Sequence, residues 1–135
     1  MEENLTKSIE DYLEAIYIFE LNNNSPVKSL TLAQFLNVSK PAVNKAMNRL
    51  INDGFIEKKY YGSISLTDSG REIGKSIYEK HCALKEFLLD LGVSEKTAEK
   101  ECCLIEHVIS DETFNKIKEF NIKKRTEKWK KYYAF

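Results

Sequence analysis

Residues 30–54 read LTLAQFLNVSKPAVNKAMNRLINDG, the pattern of two short helices on either side of a tight turn. Asn37-Val38-Ser39 predicts the turn, because Asn and Ser are frequent turn formers. Ser39 is also a favoured N-cap for the second helix, and Pro41 is tolerated in its first turn. Gly54 predicts a left-handed stop for that helix. Two short helices joined in this way predict a helix-turn-helix.

The sequence on either side extends this unit to residues 1–70. Upstream, apolar residues at helical spacing predict a helix over Thr6–Leu21, which ends in the turn formers of Asn22–Pro26. Downstream, the apolar period changes from 3.6 to 2. Phe55–Tyr60 and Ser63–Leu66 therefore predict a hairpin around Tyr61-Gly62. A hairpin directly after the second helix is a wing, so residues 1–70 predict a winged helix-turn-helix domain.

Residues 71–135 predict an all-helical second domain, so the expected fold class is mainly α. Long helices are predicted over Ser69–Leu91, from Ser94 through Ile109, and from Glu112 to about Asn121. The tail from Ile122 to Phe135 alternates basic and aromatic residues. We expect it to be a solvated helix end whose aromatic rings pack on the domain; contact with DNA phosphates is the alternative.

The overall composition sets only broad limits on function. The chain has 135 residues, 42% of them hydrophobic, with 21 bases and 21 acids, so its net charge does not point to a nucleic-acid partner. No signal peptide is evident, and no apolar run approaches the ~18–20 residues of a membrane span. Three cysteines, two of them adjacent, do not suggest a disulfide framework. We therefore expect a cytoplasmic protein.

The second helix of the helix-turn-helix carries the residues expected to contact DNA. From Ser39 to Tyr61 there are five bases against only Asp53 and Glu57, so this surface is locally basic. Its side chains suit phosphate contact and base-edge reading in the major groove. One short helix reaches few base pairs, so a homodimer reading two half-sites is expected. The candidate DNA-binding residues are Ser39, Lys40, Pro41, Ala42, Asn44, Lys45, Asn48 and Arg49, with Lys58, Lys59 and Tyr60 in the wing.

A second constellation contains side chains that bind metals. Cys103-x-x-Glu106-His107 would share one helical face with Glu99, and Asp11-x-x-Glu14 would place two carboxylates on another. Gathering carboxylates without a cation would cost free energy through like-charge repulsion, which a divalent metal removes. A mixture of carboxylate, imidazole and thiolate suits Fe(II), Mn(II), Co(II) or Ni(II) better than structural zinc. His81 is the further candidate ligand.

Taken together, these segments resemble the DtxR/MntR family of metal-dependent transcriptional repressors, from about Ser8 to about Ile117. The segments that carry the resemblance are Ser8–Tyr17, Val38–Lys45, Tyr61–Gly70, Lys80-His81 with Glu86-Phe87-Leu88, and Cys103–Asp111. The resemblance implies one or two metals per subunit between a DNA-binding and a dimerisation domain. The implied metal ligands are Asp11, Glu14, His81, Cys103, Glu106 and His107.

The implied ligand set is a hybrid of two branches of that family. Asp11 and Glu14 resemble the manganese-sensing branch, whereas Cys103 resembles the iron-sensing branch. Lys85 stands where the iron branch has an ancillary-site glutamate, and Glu99 is a possible substitute there. The resemblance therefore implies Mn(II) or Fe(II) without choosing between them.

The expected function is a homodimeric repressor that is activated by Mn(II) or Fe(II), binds a palindromic operator and controls metal-homeostasis genes. The alternative is a winged-helix regulator that responds to an organic effector or to oxidation through Cys102/Cys103. We do not expect an enzyme, because the sequence offers no Gly-rich phosphate loop and no serine nucleophile motif.

Overall fold

The structure, a computed structural model, describes residues 6–23, 26–59 and 62–133 and divides into two compact units. The first unit is Met1–Tyr78 and the second is Glu79–Phe135. The elements in chain order are α1 (Lys7–Asn23), β1 (Val27–Lys28), α2 (Ser29–Leu36), α3 (Lys40–Asn52), β2 (Ile56–Lys58), β3 (Ser63–Leu66), α4 (Asp68–Asp90), α5 (Glu95–Ile105) and α6 (Asp111–Tyr133). The predicted class, mainly α with a winged helix-turn-helix followed by helices, is confirmed.

The turn between α2 and α3 forms as its residue types predict. Asn37 ends α2 in the left-handed conformation, with φ of 54°, which asparagine tolerates better than most residues. The Ser39 Oγ accepts a hydrogen bond from the Ala42 N–H at 3.3 Å and so caps α3. Gly54 adopts a φ of 78° after the helix. These local interactions fix the direction in which α3 leaves the turn.

The first unit packs its three helices and the wing around one apolar core. Its sheet has the order β1-β3-β2, with both pairs antiparallel. The strand β1 was not predicted from the sequence, and it pairs Val27 with Ile64. The predicted wing strand Phe55–Tyr60 is shorter in the structure, at Ile56–Lys58. The buried residues of this core include Leu13, Ile16, Leu32, Val43, Met47, Leu50, Ile56 and Ile64.

Close backbone approaches hold the start of α4 against the rest of the first unit. A Cβ at Gly70 would lie 2.0 Å from the Phe55 carbonyl oxygen, and one at Gly74 would lie 2.6 Å from the Leu13 carbonyl oxygen. Thr67 caps the helix by accepting a hydrogen bond from the Gly70 N–H at 3.2 Å. The wing and α1 can approach α4 this closely only because both positions lack a side chain.

In the second unit, α5 ends earlier than the sequence pattern predicts. The helix was expected to run through Ile109, but it stops at Ile105, and residues 106–108 form a turn. The N–H groups of Val108 and Ile109 both donate to the Ile105 carbonyl at 3.0 Å, which tightens the chain at this point. Glu106 therefore caps α5, and His107 lies beyond it. The prediction that this helix continues through Ile109 is wrong, although the Glu106 N–H still donates to the Cys102 carbonyl at 3.0 Å as in a helix.

The last helix is longer than predicted, because α6 continues without a break to Tyr133 instead of ending near Asn121. Glu86 and Asp90 of α4 form ion pairs with Arg125 and Lys128 of α6. The rings of Phe87 and Phe120 meet edge to face at 5.4 Å. These contacts attach α6 to the C-terminal half of α4.

The aromatic residues of the tail do not pack as predicted. Trp129 is 63% exposed and Tyr132 is 77% exposed, so the expected packing of both rings on the domain is wrong. The prediction for Phe135 lies outside the described residues. Among the helices that the structure describes, none is both long and apolar enough to cross a membrane.

Candidate metal centre and nucleic-acid interface

The buried carboxylate of Glu106 is the centre of a cluster of metal-capable side chains in the second unit. Glu106 is only 1% exposed. Its Oε2 lies 2.9 Å from Nδ1 of His81, which α4 contributes, and its Oε1 lies 3.5 Å from Nε2 of His107. The side chain of His107 is itself 4% exposed. A carboxylate buried between two imidazoles is a donor set that a divalent cation could use.

Two thiols lie close to the His81 ring. The Sγ atoms of Cys102 and Cys103 are 3.6 Å and 3.8 Å from His81 Nδ1. One donor atom from each of these three residues lies within 4.8 Å of the other two. Cys102 is fully buried and Cys103 is half-buried. The imidazole therefore has oxygen and sulfur donors around one nitrogen.

Glu99, a possible ligand from the sequence, lies beside both the His81 ring and the Cys103 thiol, whose Sγ is 3.9 Å from its Oε1. Its Oε1 is 3.4 Å from His81 Nε2, and its Oε2 is 3.0 Å from the Nζ of Lys85. Burial acts to raise the pKa of Glu99, but the hydrogen bond from Lys85 and the nearby His81 lower it overall. Glu99 is thus placed to accept from the imidazole and to be neutralised by Lys85.

The surroundings of Cys102 favour a cation over a free thiolate. Burial, together with the neighbouring Cys103, Glu99 and Glu106, raises the pKa of the Cys102 thiol to about 12. An anion at Cys102 is therefore opposed both by desolvation and by nearby negative charge. A bound divalent cation would reverse the second effect.

Asp11 and Glu14 lie one turn apart on α1, in the first unit. The Asp11 carboxylate accepts from the Lys7 Nζ at 2.9 Å, and its side chain is 31% exposed. Glu14 is half-buried. These two carboxylates share one face of α1, as their spacing predicts.

The candidate DNA-binding surface lies on α3 of the first unit. Val43, Met47 and Leu50 turn inward to the core, which leaves the opposite face of α3 to solvent. The predicted contact residues that the structure describes are all exposed: Ser39, Lys40, Pro41, Ala42, Asn44, Lys45, Asn48, Arg49, Lys58 and Lys59. Tyr60 lies outside the described residues.

The two acids of this surface are both engaged by neighbouring bases. Asp53 lies 3.7 Å from Arg49, and Glu57 lies 3.2 Å from Lys59. The surface therefore keeps an excess of positive charge despite the zero net charge of the chain. An exposed helix of this kind, with polar and basic side chains on one face, has the chemistry and size to enter a major groove.

Two family models together match most of the chain. Residues 4–64 match the family model described as the iron dependent repressor N-terminal DNA binding domain, and residues 67–128 match the iron dependent repressor metal binding and dimerisation domain. The chain belongs to the iron-dependent repressor family. The predicted resemblance to metal-dependent transcriptional repressors is confirmed, and the family is one of transcriptional regulators.

Relatives of this repressor chain come from archaea and bacteria. An uncharacterized HTH-type transcriptional regulator of Methanocaldococcus jannaschii is 43% identical over 117 residues, covering 86% of this chain and 94% of the relative. The HTH-type transcriptional regulator MntR of Lysinibacillus sphaericus is 30% identical over 112 residues, covering 83% of this chain and 80% of the relative. The similarity thus extends over most of both chains.

Solved structures of the family share the fold. A manganese-dependent transcriptional repressor in complex with manganese is 26% identical with a TM-score of 0.76, covering 84% of this chain. The crystal structure of T. acidophilum IdeR is 26% identical with a TM-score of 0.69, covering 87% of this chain. The present chain spans about half the length of these two, 52% and 55%.

Sequence reasoning on this repressor missed Cys102 as a member of the cluster and considered it only for oxidation. Neighbouring residues on a helix point about 100° apart, so helical spacing does not indicate that Cys102 and Cys103 contact the same side chain. In the structure the His81 ring lies within reach of both thiols. The adjacency of two cysteines close to Glu106-His107 was the available signal.

Proposed function

We propose that the chain is a metal-activated DNA-binding repressor that responds to Mn(II) or Fe(II), controls metal-homeostasis genes and binds a palindromic operator as a homodimer. The observation that carries the proposal is the buried Glu106 carboxylate, which lies 2.9 Å from His81 and 3.5 Å from His107. A buried, multiply contacted carboxylate with nearby thiols is unusual in a simple core. The family match to a metal-binding and dimerisation domain supports this interpretation.

The proposed ligands are the six residues that the resemblance implies, with one or two metals per subunit. Glu106 would supply a carboxylate oxygen, and His107 and His81 would each supply an imidazole nitrogen. Cys103 would supply a thiolate. On the sequence pattern, we propose that Asp11 and Glu14 also bind the metal. Carboxylate-rich sets of this kind suit Mn(II) and Fe(II). The bound metal would contribute positive charge that holds the carboxylates in one arrangement. We propose that Glu99, paired with Lys85 at 3.0 Å, orients His81 instead of binding metal.

The proposed DNA contacts follow from α3 and the wing. Lys40, Lys45 and Lys58 would neutralise phosphates, while Asn44 and Asn48 would reach base edges. All of them are exposed. A homodimer would place two such helices in successive major grooves, which requires an operator with two-fold symmetry.

Activation would follow from linkage between the two sites. If metal binding favours the arrangement that binds DNA, operator DNA must tighten metal binding by the same factor. Typical coupling free energies of about 1–3 kcal/mol correspond to a 5–150-fold change in affinity. The proposal therefore predicts a change in two measurable affinities, one for DNA and one for metal.

The test begins with palindromic DNA selected from a random library with the purified chain and Mn(II). DNA affinity is then measured by fluorescence anisotropy without metal, with Mn(II), and anaerobically with Fe(II). We expect at least about 5-fold tighter binding with the activating metal, and no such gain for Asp11→Asn or Glu106→Gln. Glu101→Gln, an exposed position on α5, is the matched control. Equal affinity of the wild type with and without metal would refute the proposal.

The oxidation-sensing alternative is disfavoured by the chemistry of Cys102. The reactive form of cysteine is the thiolate, and a thiol whose pKa is raised to about 12 is almost entirely protonated at neutral pH. We expect iodoacetamide at pH 8 to modify the exposed Cys82 well before Cys102, as measured by peptide mass spectrometry. Preferential modification of Cys102 would restore the alternative.

A further inference from the structure

We propose that His81, Cys102 and Cys103 form a thiolate-rich site for a soft divalent metal, such as Zn(II) or Cd(II), within the second unit alone. This inference goes beyond the proposed Mn(II) or Fe(II) response. Its new element is Cys102, which lies outside the ligand set proposed above. The metal would be bound by two thiolates and one imidazole nitrogen.

The distances between the donor atoms match tetrahedral coordination. Zinc binds sulfur at about 2.3 Å and nitrogen at about 2.0–2.1 Å, so a tetrahedral site places the two donors about 3.6 Å apart. The Sγ atoms of Cys102 and Cys103 lie 3.6 Å and 3.8 Å from Nδ1 of His81. Cys102 Sγ also lies 3.9 Å from Nε2, so its side chain or the His81 ring would have to rotate before one metal ion could contact all three atoms.

The outer face of the imidazole is also arranged as in zinc sites. Histidines that bind metal usually donate their other ring N–H to a carboxylate, which fixes the tautomer. His81 has Glu99 Oε1 at 3.4 Å from Nε2, and Lys85 holds the second Glu99 oxygen at 3.0 Å. With Nε2 donating to Glu99, Nδ1 is left as the nitrogen whose lone pair can bind a metal, and it is the ring nitrogen nearer to the Cys102 thiol.

The remaining position of the tetrahedron faces Glu106. Its Oε2 lies 2.9 Å from the same Nδ1 atom and is buried, so it can supply a fourth donor. Two sulfurs, one nitrogen and one oxygen are a soft set that favours Zn(II) or Cd(II) over Mn(II). Each thiol loses its proton to solvent as its metal–sulfur bond forms, so binding should tighten as pH rises.

This site would compete with the proposed Mn(II) or Fe(II) site, because both use His81, Cys103 and Glu106. A thiophilic metal bound here would take those three ligands away. The chain would then hold two alternative metal states that differ in the participation of Cys102.

The test is an anaerobic titration of the reduced full chain with Co(II), followed by absorption spectroscopy. We expect a thiolate-to-cobalt charge-transfer band in the near ultraviolet, with the intense visible bands of tetrahedral Co(II). Added Zn(II) should then displace Co(II) and abolish both the charge-transfer band and the visible bands, because it binds such sites more tightly than Co(II). Absence of the charge-transfer band in the wild type would overturn the proposal.

Variants of single cysteines show which thiols contribute to the cobalt charge-transfer band. Cys102→Ser and Cys102→Ala should each lose about half of the charge-transfer intensity, with Co(II) binding at least about 10-fold weaker. Cys82→Ser, at an exposed position, should match the wild type. Circular dichroism checks that both Cys102 variants are folded. If both keep the full charge-transfer intensity, the proposed site is overturned. This readout needs no DNA, so it separates failure of this site from failure of the proposed DNA response.

Discussion

The substitution Glu106→Gln tests the proposed manganese or iron site most directly, because it removes a charge while it keeps the shape of the side chain. The carboxylate is 1% exposed, and its Oε2 lies 2.9 Å from Nδ1 of His81. Glutamine can keep that contact, so the metal-free stability should change by only about 1 kcal/mol. The effect of the substitution should therefore appear only when metal is present.

Its magnitude can be worked out from linkage. Mn(II) at 100 times its dissociation constant stabilises the folded chain by about 2.7 kcal/mol. Loss of a charged ligand should weaken binding by about 100-fold, the upper end of the range for partners of metal ligands. At the same Mn(II) concentration the stabilisation then falls to about 0.4 kcal/mol. For a chain of this size, each kcal/mol of stabilisation raises Tm by about 3 °C. Mn(II) should therefore raise the Tm of the wild type by about 8 °C and that of Glu106→Gln by about 1 °C.

The assay is differential scanning calorimetry with and without Mn(II), on the wild type, Glu106→Gln and the control Glu101→Gln. The control changes the same residue type at an exposed position of α5, and it should keep the full rise in Tm. An undiminished Mn(II) shift in Glu106→Gln would show that this carboxylate does not bind the metal. That result would refute the proposed ligand set.

Three further substitutions probe the fold and the DNA surface. Lys45→Ala should weaken DNA binding similarly on all sequences and reduce the salt dependence of log Kd by about 1, as measured by anisotropy from low to high salt. Gly70→Ala should destabilise the first unit by about 1–3 kcal/mol or more in urea unfolding, because its Cβ would lie 2.0 Å from the Phe55 carbonyl oxygen. Ser110→Ala should cost about 1 kcal/mol in the same assay, because it removes the 3.1 Å cap of the Thr113 N–H. A neutral result for any one of them would contradict the corresponding contact.

The parts of the fold that the sequence predicted depend on local interactions. The α2–turn–α3 unit follows from Asn37, Ser39 and Gly54, each of which acts on residues only a few positions away. Ser94 and Ser110 act over the same short range, since each accepts a hydrogen bond from the N–H group three residues later. A residue whose hydrogen-bonding partner lies three positions along the chain can be recognised without knowledge of the tertiary structure.

The helix ends of the second unit could not be predicted in this way. Residues 106–109 contain neither Gly nor Pro, so nothing in the local pattern marks the end of α5 at Ile105. In the tail, the predicted helix ends near Asn121, whereas α6 continues to Tyr133. Residues 122–133 also lack Gly and Pro and are rich in Lys, Arg and Glu, which have good helix propensity. Ion pairs of Arg125 and Lys128 with α4 then hold the extension.

The chemistry of the candidate centre was predicted only in part. The distances from the cysteine sulfurs to His81 depend on how two helices pack. The sequence identified His81, Cys103, Glu106 and His107 as separate ligand candidates. It could not show that the His81 ring would lie between sulfur and oxygen donors, since that position depends on how α4 packs against α5. The role of Cys102 follows only from that packing.

The shared imidazole explains how one cluster could distinguish metals by hardness. His81 Nδ1 lies 2.9 Å from a carboxylate oxygen and 3.6 Å and 3.8 Å from two sulfurs. A hard cation gains most from the Glu106 side, and a soft one gains most from the sulfur side. Because a single nitrogen serves both, the two metals cannot both bind His81 at once. Replacing Cys102 should therefore weaken binding of the soft metal while leaving the carboxylate ligands of the hard one intact, and the ratio of the two affinities measures the selectivity that the second cysteine adds.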